Sequence, residues 1–271
     1  AVTRRLIERK LCKKVVLVDR SPGKAEGIAL DILEASPIDL LEPVCLSGED
    51  LEQTRDSEVV IITAGARRTE GMSRDDLLKI NAEIVAECAG KAAKFSPYAF
   101  YIIVSNPLNV MCHVAMRAGQ IPRTRVTGMA GILDASRFQY FISKELGVSV
   151  ENVQAMVLGE HGEDMVPVPR YSTVAGIPIT ELLPPERIEA LVSRTRDGGA
   201  EIIRLMQVSA FYAPASAVSQ MVSAVVMNKR KILPCAAYLT GEYGIKDTFV
   251  GVPVKLGANG VEEIMHIELS D

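Results

Sequence analysis

The sequence predicts an α/β fold in which a doubly wound parallel sheet is followed by a second, α+β domain. Short, wholly apolar runs are typical of buried parallel strands. The first such run, at 15–18, is followed directly by Asp19. Segments with helical periodicity separate these runs as far as about residue 128. After about Met129 the alternation stops, and long helices precede a group of strands. Strands that alternate with helices indicate a parallel α/β sheet, and helices grouped apart from strands indicate an α+β domain.

The first half of the chain divides into elements in a regular order. Residues 1–14 carry apolar side chains at helical spacing with basic residues between them, so the chain begins inside a helix or at its start. Because helices alternate with strands, neighbouring strands are expected to run parallel. Strands are expected at 15–18, 43–47, 58–63, 99–104 and 125–128, and helices at 24–35, 74–95 and 108–118.

The second half follows a different pattern, in which helices are longer and strands cluster near the end. We therefore expect two domains, at 1–128 and 129–271. The elements predicted after the boundary are a helix at 132–146, strands around 153–158, helices at 185–208 and 215–228, and strands from 232 onward.

Composition limits the classes of function. The chain has 271 residues, and its formal net charge of -4 gives no general attraction to nucleic acid or to an anionic membrane. Its five cysteines are odd in number and include no CxxC pair, which favours reduced thiols over a disulfide framework or a zinc site. No apolar run reaches the length of a membrane helix. We expect a cytoplasmic protein without a bound metal.

Asp19 suggests a nucleotide cofactor. In a dinucleotide-binding βαβ unit, an acid at the end of the second strand binds the ribose hydroxyls, and a G-x-G-x-x-G turn lies about twenty residues earlier. Counting back about twenty residues places that turn before Ala1. We therefore expect a Rossmann-type sheet at 1–128 whose first strand and glycine-rich loop lie outside this sequence. An acid at this position favours NAD over NADP, although Asp19 could also be a solvated acid at a strand end.

A spaced set of polar residues predicts a site for a small dicarboxylate. Guanidinium groups bind carboxylates through paired hydrogen bonds, and an imidazole can move a proton on the bound molecule. Each member also has a structural alternative, such as a surface ion pair, a strand-exit turn or a non-catalytic histidine. The set consists of Arg68, Arg74, Asn106-Pro107, Asp134, Arg137 and His161.

Six stretches closely resemble the malate dehydrogenases of the lactate dehydrogenase-like type. Together they span nearly the whole chain in the order and spacing of that family. They read GARRTEGMSRDDLLKINAEI from Gly65, VSNPLNV from Val104, GILDASR from Gly131, LGEHGEDMVPVPR from Leu158, YAPASA from Tyr212 and GVPVKLGANGVEEI from Gly251.

The resemblance implies a role for each polar residue. His161 would be the acid–base group, and Asp134 would orient its imidazole and favour the protonated ring. Arg137 would bind the C1 carboxylate of the substrate, and Arg74 would polarise the carbonyl that reacts. Asn106 would lie near both the carbonyl and the nicotinamide. Residues 129–271 would then be the substrate domain, without the C-terminal helix that the family normally adds.

Arg68 decides the substrate in this interpretation. In the family this position is typically arginine in malate enzymes and glutamine in lactate enzymes, because only malate has a second carboxylate. Arg67 stands where the family usually has proline, so either arginine could face the substrate. Asn81 and Val104 would be further cofactor contacts.

The predicted function is interconversion of malate and oxaloacetate with NAD, a step of the tricarboxylic acid cycle. One alternative is a lactate or other 2-hydroxyacid dehydrogenase. Another is a non-catalytic paralogue or assembly subunit that has lost cofactor binding. The family is commonly dimeric or tetrameric, and apolar stretches at 30–41 and 209–226 could supply the interfaces.

Overall fold

The computed structural model describes residues 1–21, 23–42, 44–48, 51–66, 73–162 and 164–269, without the side chains of Leu46 and Arg74. The α-helices are α1 Val2–Glu8, α2 Lys24–Asp39, α3 Arg74–Phe95, α4 Leu108–Ala118, α5 Gly131–Leu146, α6 Ile179–Leu182, α7 Pro185–Met206 and α8 Tyr212–Val226. The strands are β1 Lys14–Val18, β2 Val44–Gly48, β3 Val59–Ile62, β4 Phe100–Ile103, β5 Val126–Gly128, β6 Val153–Gln154, β7 Val157–Gly159, β8 Met165–Pro167, β9 Thr173–Val174, β10 Ile177–Pro178, β11 Lys231–Thr240, β12 Lys246–Gly257 and β13 Gly260–Ile264.

The strands form an α/β architecture with a parallel first part, as predicted. β1 pairs in parallel with β2, and β3, β4 and β5 are parallel to one another. β5 then pairs antiparallel with β11, and the order continues through β12, β7 and β8. Strands from both sides of residue 128 therefore belong to one sheet, and the division into two domains stays a prediction.

The parallel sheet is interrupted between β1 and β3. In the part of the chain that the structure describes, β1 and β2 form a separate two-stranded sheet. A cavity of about 2360 Å³ is lined by residues 15–18 on one side and 59–62 on the other. A doubly wound sheet would hold one more parallel strand at this point.

Strand β4 lies at the centre of the core. For this reason its residues do not alternate between apolar and polar. Successive side chains of a strand point to opposite faces. Phe100 and Ile102 therefore pack in a cluster with α8 and β12, while Tyr101 and Ile103 pack in a second cluster with α3 and α4. All four are buried, because helices cover both faces.

One predicted helix differs from the structure in extent. The helix expected at 24–35 continues through Pro37 to Asp39 and ends in the left-handed conformation of Leu40. The strands expected around 153–158 are β6 and β7, which belong to different sheets. Met156, between them, bonds through its N–H to the Ser172 hydroxyl, which ends the first ladder.

No helix among the described residues is long and apolar enough to cross a lipid bilayer.

Candidate active site

His161 and Asp134 form a hydrogen-bonded pair in the interior of the protein. His161 follows β7, and its Nδ1 lies 2.8 Å from Oδ2 of Asp134. The side chain of Asp134 is 1% exposed and that of His161 is 17% exposed. A carboxylate that accepts the Nδ1 proton fixes the tautomer and leaves Nε2 to exchange a proton with a bound molecule. The arrangement is suited to acid–base chemistry.

The close approach of α5 to β7 brings the pair together. Gly131 is the first residue of α5, and a Cβ atom at this position would lie 1.9 Å from the carbonyl oxygen of Val157. Any larger residue would separate the helix from the strand. One turn along α5, Asp134 then faces the residues that follow β7.

Arg137 adds a cation to the same carboxylate. Its Nη1 donates to Oδ1 of Asp134 over 3.1 Å, so each oxygen of Asp134 contacts a different partner. The Arg137 side chain is only 12% exposed, which makes this a largely buried pair and not a surface one. Burial lowers the pKa of Arg137, while the charge of Asp134 acts in the opposite direction. Its buried Nε has no hydrogen-bond partner among the described residues.

A second group of polar residues joins the ends of β3 and β4. Asn81 of α3 is 3% exposed, and its Nδ2 donates to the carbonyl oxygen of Asn106 over 2.8 Å. Its Oδ1 accepts the N–H of Ala66 over 2.6 Å. Ser105 donates from its hydroxyl to the carbonyl oxygen of Ala64 over 2.5 Å. These bonds fix the backbone on which the exposed Asn106 side chain stands.

The peptide bond between Asn106 and Pro107 is cis. Val104, at the end of β4, is half-buried and donates its N–H to the carbonyl oxygen of Ile62. The side-chain oxygen and nitrogen of Asn81 are both hydrogen-bonded to backbone groups, so this residue positions the backbone. Contacts of Asn81 and Val104 with a cofactor stay predictions.

Asp19 lies directly after β1, as predicted, and its carboxylate is held ionised. Its Oδ2 is 2.9 Å from Nζ of Lys24, and its Oδ1 accepts the N–H of Ser21 over 2.9 Å. The Lys24 ammonium, followed by the Ser21 amide, holds the pKa of Asp19 below its usual value. An ionised acceptor directly after a parallel strand fits the ribose of a dinucleotide.

The loop arginines can be placed only in part. Ser73 caps α3 by accepting the N–H of Asp76 on its hydroxyl over 3.0 Å, and Asp76 returns a bond to the Ser73 N–H. Arg74 is therefore the first helical residue. Its side chain, and the whole of Arg67 and Arg68, lie outside the described residues.

Comparison with known proteins shows the family to which this chain belongs. Residues 1–128 match the model of the lactate/malate dehydrogenase NAD binding domain, and residues 132–271 match that of the lactate/malate dehydrogenase alpha/beta C-terminal domain. The chain belongs to the lactate/malate dehydrogenase family. The malate dehydrogenase of Thermomicrobium roseum is 51% identical over 271 residues, which are 100% of this chain and 88% of that protein.

Solved structures of the lactate/malate dehydrogenase family have the same fold. The malate dehydrogenase of Salinibacter ruber superposes with a TM-score of 0.95 at 47% identity, covering 99% of this chain and 86% of that one. A lactate dehydrogenase from Eimeria maxima, solved with NADH and oxamate, gives a TM-score of 0.94 at 35% identity, covering 99% and 83%. Because both kinds of enzyme superpose this well, the fold alone does not choose between the two substrates.

Two further residues contact the site and were not among those predicted from the sequence. Gly198 and Gly199 of α7 lie against the side chain of Arg137, within 3.5 Å when measured from the position of a Cβ atom. The signal was available, because two adjacent glycines interrupt a segment with clear helical periodicity.

Proposed function

We propose that this chain is an NAD-dependent malate dehydrogenase that interconverts malate and oxaloacetate. The observation that carries the proposal is the contact of one buried carboxylate, Asp134, with both an imidazole and a guanidinium. The relatives that are about 50% identical over the chain are malate dehydrogenases, which supports it. A non-catalytic paralogue would have no need to keep a buried ionic group of this kind, which is costly to maintain.

His161 exchanges the proton of the reaction. During oxidation its Nε2 takes the hydroxyl proton of malate, and during reduction it returns a proton to the carbonyl oxygen of oxaloacetate. Asp134 holds Nδ1 and stabilises the positive charge that the ring gains. When bound, NAD supplies the nicotinamide that accepts the hydride from C2.

Arg137 binds the C1 carboxylate of the substrate. One terminal nitrogen is bonded to Asp134, and the rest of the planar fork remains to make paired hydrogen bonds. Burial penalises the guanidinium charge and lowers its pKa. An anionic substrate relieves that penalty, so the site is electrostatically prepared for a carboxylate.

The other residues complete the proposed site. Arg74, at the start of α3, polarises the reacting carbonyl, and Asn106 lies beside it. Asp19 binds the ribose and selects NAD over NADP, and Asn81 and Val104 support the nicotinamide end of the cofactor. These roles rest on the family resemblance together with the positions of the described atoms.

Arg68 is proposed to bind the second carboxylate and so to select malate over lactate. Changing Arg68 to glutamine is expected to lower kcat/KM for oxaloacetate by about 10²-fold, because a charged hydrogen bond to the substrate is lost. The value for pyruvate should be unchanged or higher. Steady-state rates with both substrates, compared with those of Arg67→Gln, show which arginine faces the substrate. A loss confined to Arg67→Gln would transfer the role to Arg67.

The cofactor preference provides an independent prediction. Changing Asp19 to serine is expected to weaken NADH binding by about tenfold, because charged hydrogen bonds to the ribose are lost. Binding of NADPH should strengthen, because the 2′-phosphate is no longer repelled and Lys24 loses its partner. Fluorescence titration with each cofactor measures both effects, with the exposed Asp31→Ser as the control. Unchanged affinities for both cofactors would remove Asp19 from the site.

The proposal itself is tested by initial rates of NADH oxidation with oxaloacetate and, separately, with pyruvate. Malate dehydrogenase activity predicts a strong preference for oxaloacetate. A preference for pyruvate would make the chain a lactate or other 2-hydroxyacid dehydrogenase, and the assignment of Arg68 would be wrong. No turnover of either substrate would favour the non-catalytic alternative.

We further infer a cytoplasmic protein that assembles as a homo-dimer or homo-tetramer. The location rests on the five free cysteines, which suit a reducing compartment, and the assembly rests on apolar side chains that the single chain leaves open to solvent. Ile38, at the end of α2, is 86% exposed, and Leu205, near the end of α7, is 77% exposed. We expect a second subunit to cover apolar side chains of this size.

A further inference from the structure

Helix α7 contains two adjacent glycines whose presence helix formation does not explain. Gly198 and Gly199 lie in its interior, more than one turn from either end of Pro185–Met206. Apart from proline, glycine is the residue least favourable to a helix interior. The other 20 residues of this 22-residue helix include no glycine. The two adjacent glycines must therefore be explained by contacts between α7 and the rest of the protein.

The side chain of Arg137 lies directly against these glycines. A Cβ atom at Gly198 would lie 3.3 Å from Cδ and 3.8 Å from Nε of Arg137. A Cβ atom at Gly199 would lie 3.5 Å from both terminal nitrogens and 3.8 Å from Cζ. The Arg137 side chain therefore lies against the bare backbone of α7.

Packing of α7 on α5 fixes this arrangement. Gly198 is buried on the same face as Leu191 and Thr195, at the spacing that one helical face requires. From α5, Asp134 bonds to Nη1 of Arg137 over 3.1 Å. The guanidinium is thus held by a carboxylate at one edge and by the two glycines along its length.

We propose that Gly198 and Gly199 are positioning residues, here called the glycine seat, which set the place of the Arg137 guanidinium relative to Asp134 and the substrate carboxylate. The inference rests on the proposed function for the identity of that carboxylate. The seat acts through the absence of side chains. It lets Arg137 lie deep enough to reach Asp134 while the rest of its fork remains open to a ligand.

The two positions of the glycine seat should respond differently to a methyl group. At Gly198 a contact of 3.3 Å to Cδ is tighter than ordinary packing, so alanine must shift the arginine by a few tenths of an ångström. At Gly199 a contact of 3.5 Å is ordinary, so alanine is tolerated and only a larger side chain displaces the guanidinium. We therefore expect Gly198→Ala and Gly199→Val each to displace the Arg137 side chain more than Gly199→Ala does.

The test combines kinetics, stability and a direct signal from Arg137. Gly198→Ala is expected to raise KM for oxaloacetate by about tenfold, because small displacements of a binding group are costly, and to leave KM for NADH unchanged. Its Tm should be equal or higher by about 1–3 °C, because alanine favours the helix. The Nε–H resonance of Arg137 in a ¹⁵N–¹H spectrum should shift. Gly27→Ala, in α2 with nothing within 4 Å of the added methyl, is the matched control.

A rise in KM together with undiminished Tm would separate positioning from a structural role. The glycine seat is overturned if Gly198→Ala and Gly199→Val match Gly27→Ala in both KM for oxaloacetate and the Arg137 resonance. If the unaltered chain turns over no oxaloacetate but the resonance still shifts in Gly198→Ala and not in Gly27→Ala, the seat stands and the proposed function falls.

Discussion

Replacing His161 with glutamine is expected to lower kcat for oxaloacetate reduction by about 10²–10⁴-fold, the usual contribution of a positioned acid–base group. Glutamine can keep a hydrogen bond to Asp134 but cannot deliver a proton at neutral pH. Binding of NADH should be unchanged, because the proposed cofactor contacts lie on other elements. Steady-state kinetics and a fluorescence titration with NADH measure the two quantities.

His266→Gln is the control for this substitution. His266 stacks on Tyr243 with ring centroids 4.8 Å apart, and it has no part in the proposed site. Its activity should equal that of the unaltered chain. A His161→Gln variant with less than a tenfold loss in kcat would show that another group exchanges the proton.

Changing Asp134 to asparagine should affect catalysis and stability together. The amide keeps the shape of the carboxylate but places an NH₂ group against one of two hydrogen-bond donors, His161 or Arg137. The imidazole of His161 is no longer fixed in one tautomer and loses the negative charge that stabilises its protonated form. The value of kcat should therefore fall by at least about 10²-fold. Arg137 keeps a largely buried charge without its partner, which should reduce the free energy of unfolding by about 3 kcal/mol.

Urea unfolding and steady-state kinetics measure the two effects of Asp134→Asn, with Asp31→Asn on the exposed surface of α2 as the control. Because the two losses have one origin, neither should occur without the other. Full activity in a destabilised variant would limit Asp134 to a structural role, and unchanged stability would mean that Arg137 finds another partner.

The sequence was a good guide to elements that have strong local signals. The bounds of α3 and α4 agree with the prediction, since a serine cap starts α3 and a proline precedes α4. Strands β8, β9 and β10 were not predicted, because two or three residues are too few to show a period. The predicted helix at 24–35 is four residues shorter than α2 at its C-terminal end.

The site was predictable in its members but not in its contacts. Asp134 and His161 are 27 residues apart, and only the family resemblance paired them before the structure did. The hydrogen bonds of Asn81 to backbone groups of Ala66 and Asn106 could not be predicted, because they join residues that are far apart along the chain. The approach of Gly198 to Arg137 depends on how α7 packs on α5, which no local pattern reveals.

The most direct test of the central claim is isotope transfer. The purified protein would be incubated with oxaloacetate and NADH carrying two deuterium atoms at C4 of the nicotinamide, and the product examined by NMR and mass spectrometry. The account predicts malate with one deuterium at C2. Failure to form malate, or malate without deuterium at C2, would contradict the proposed hydride transfer.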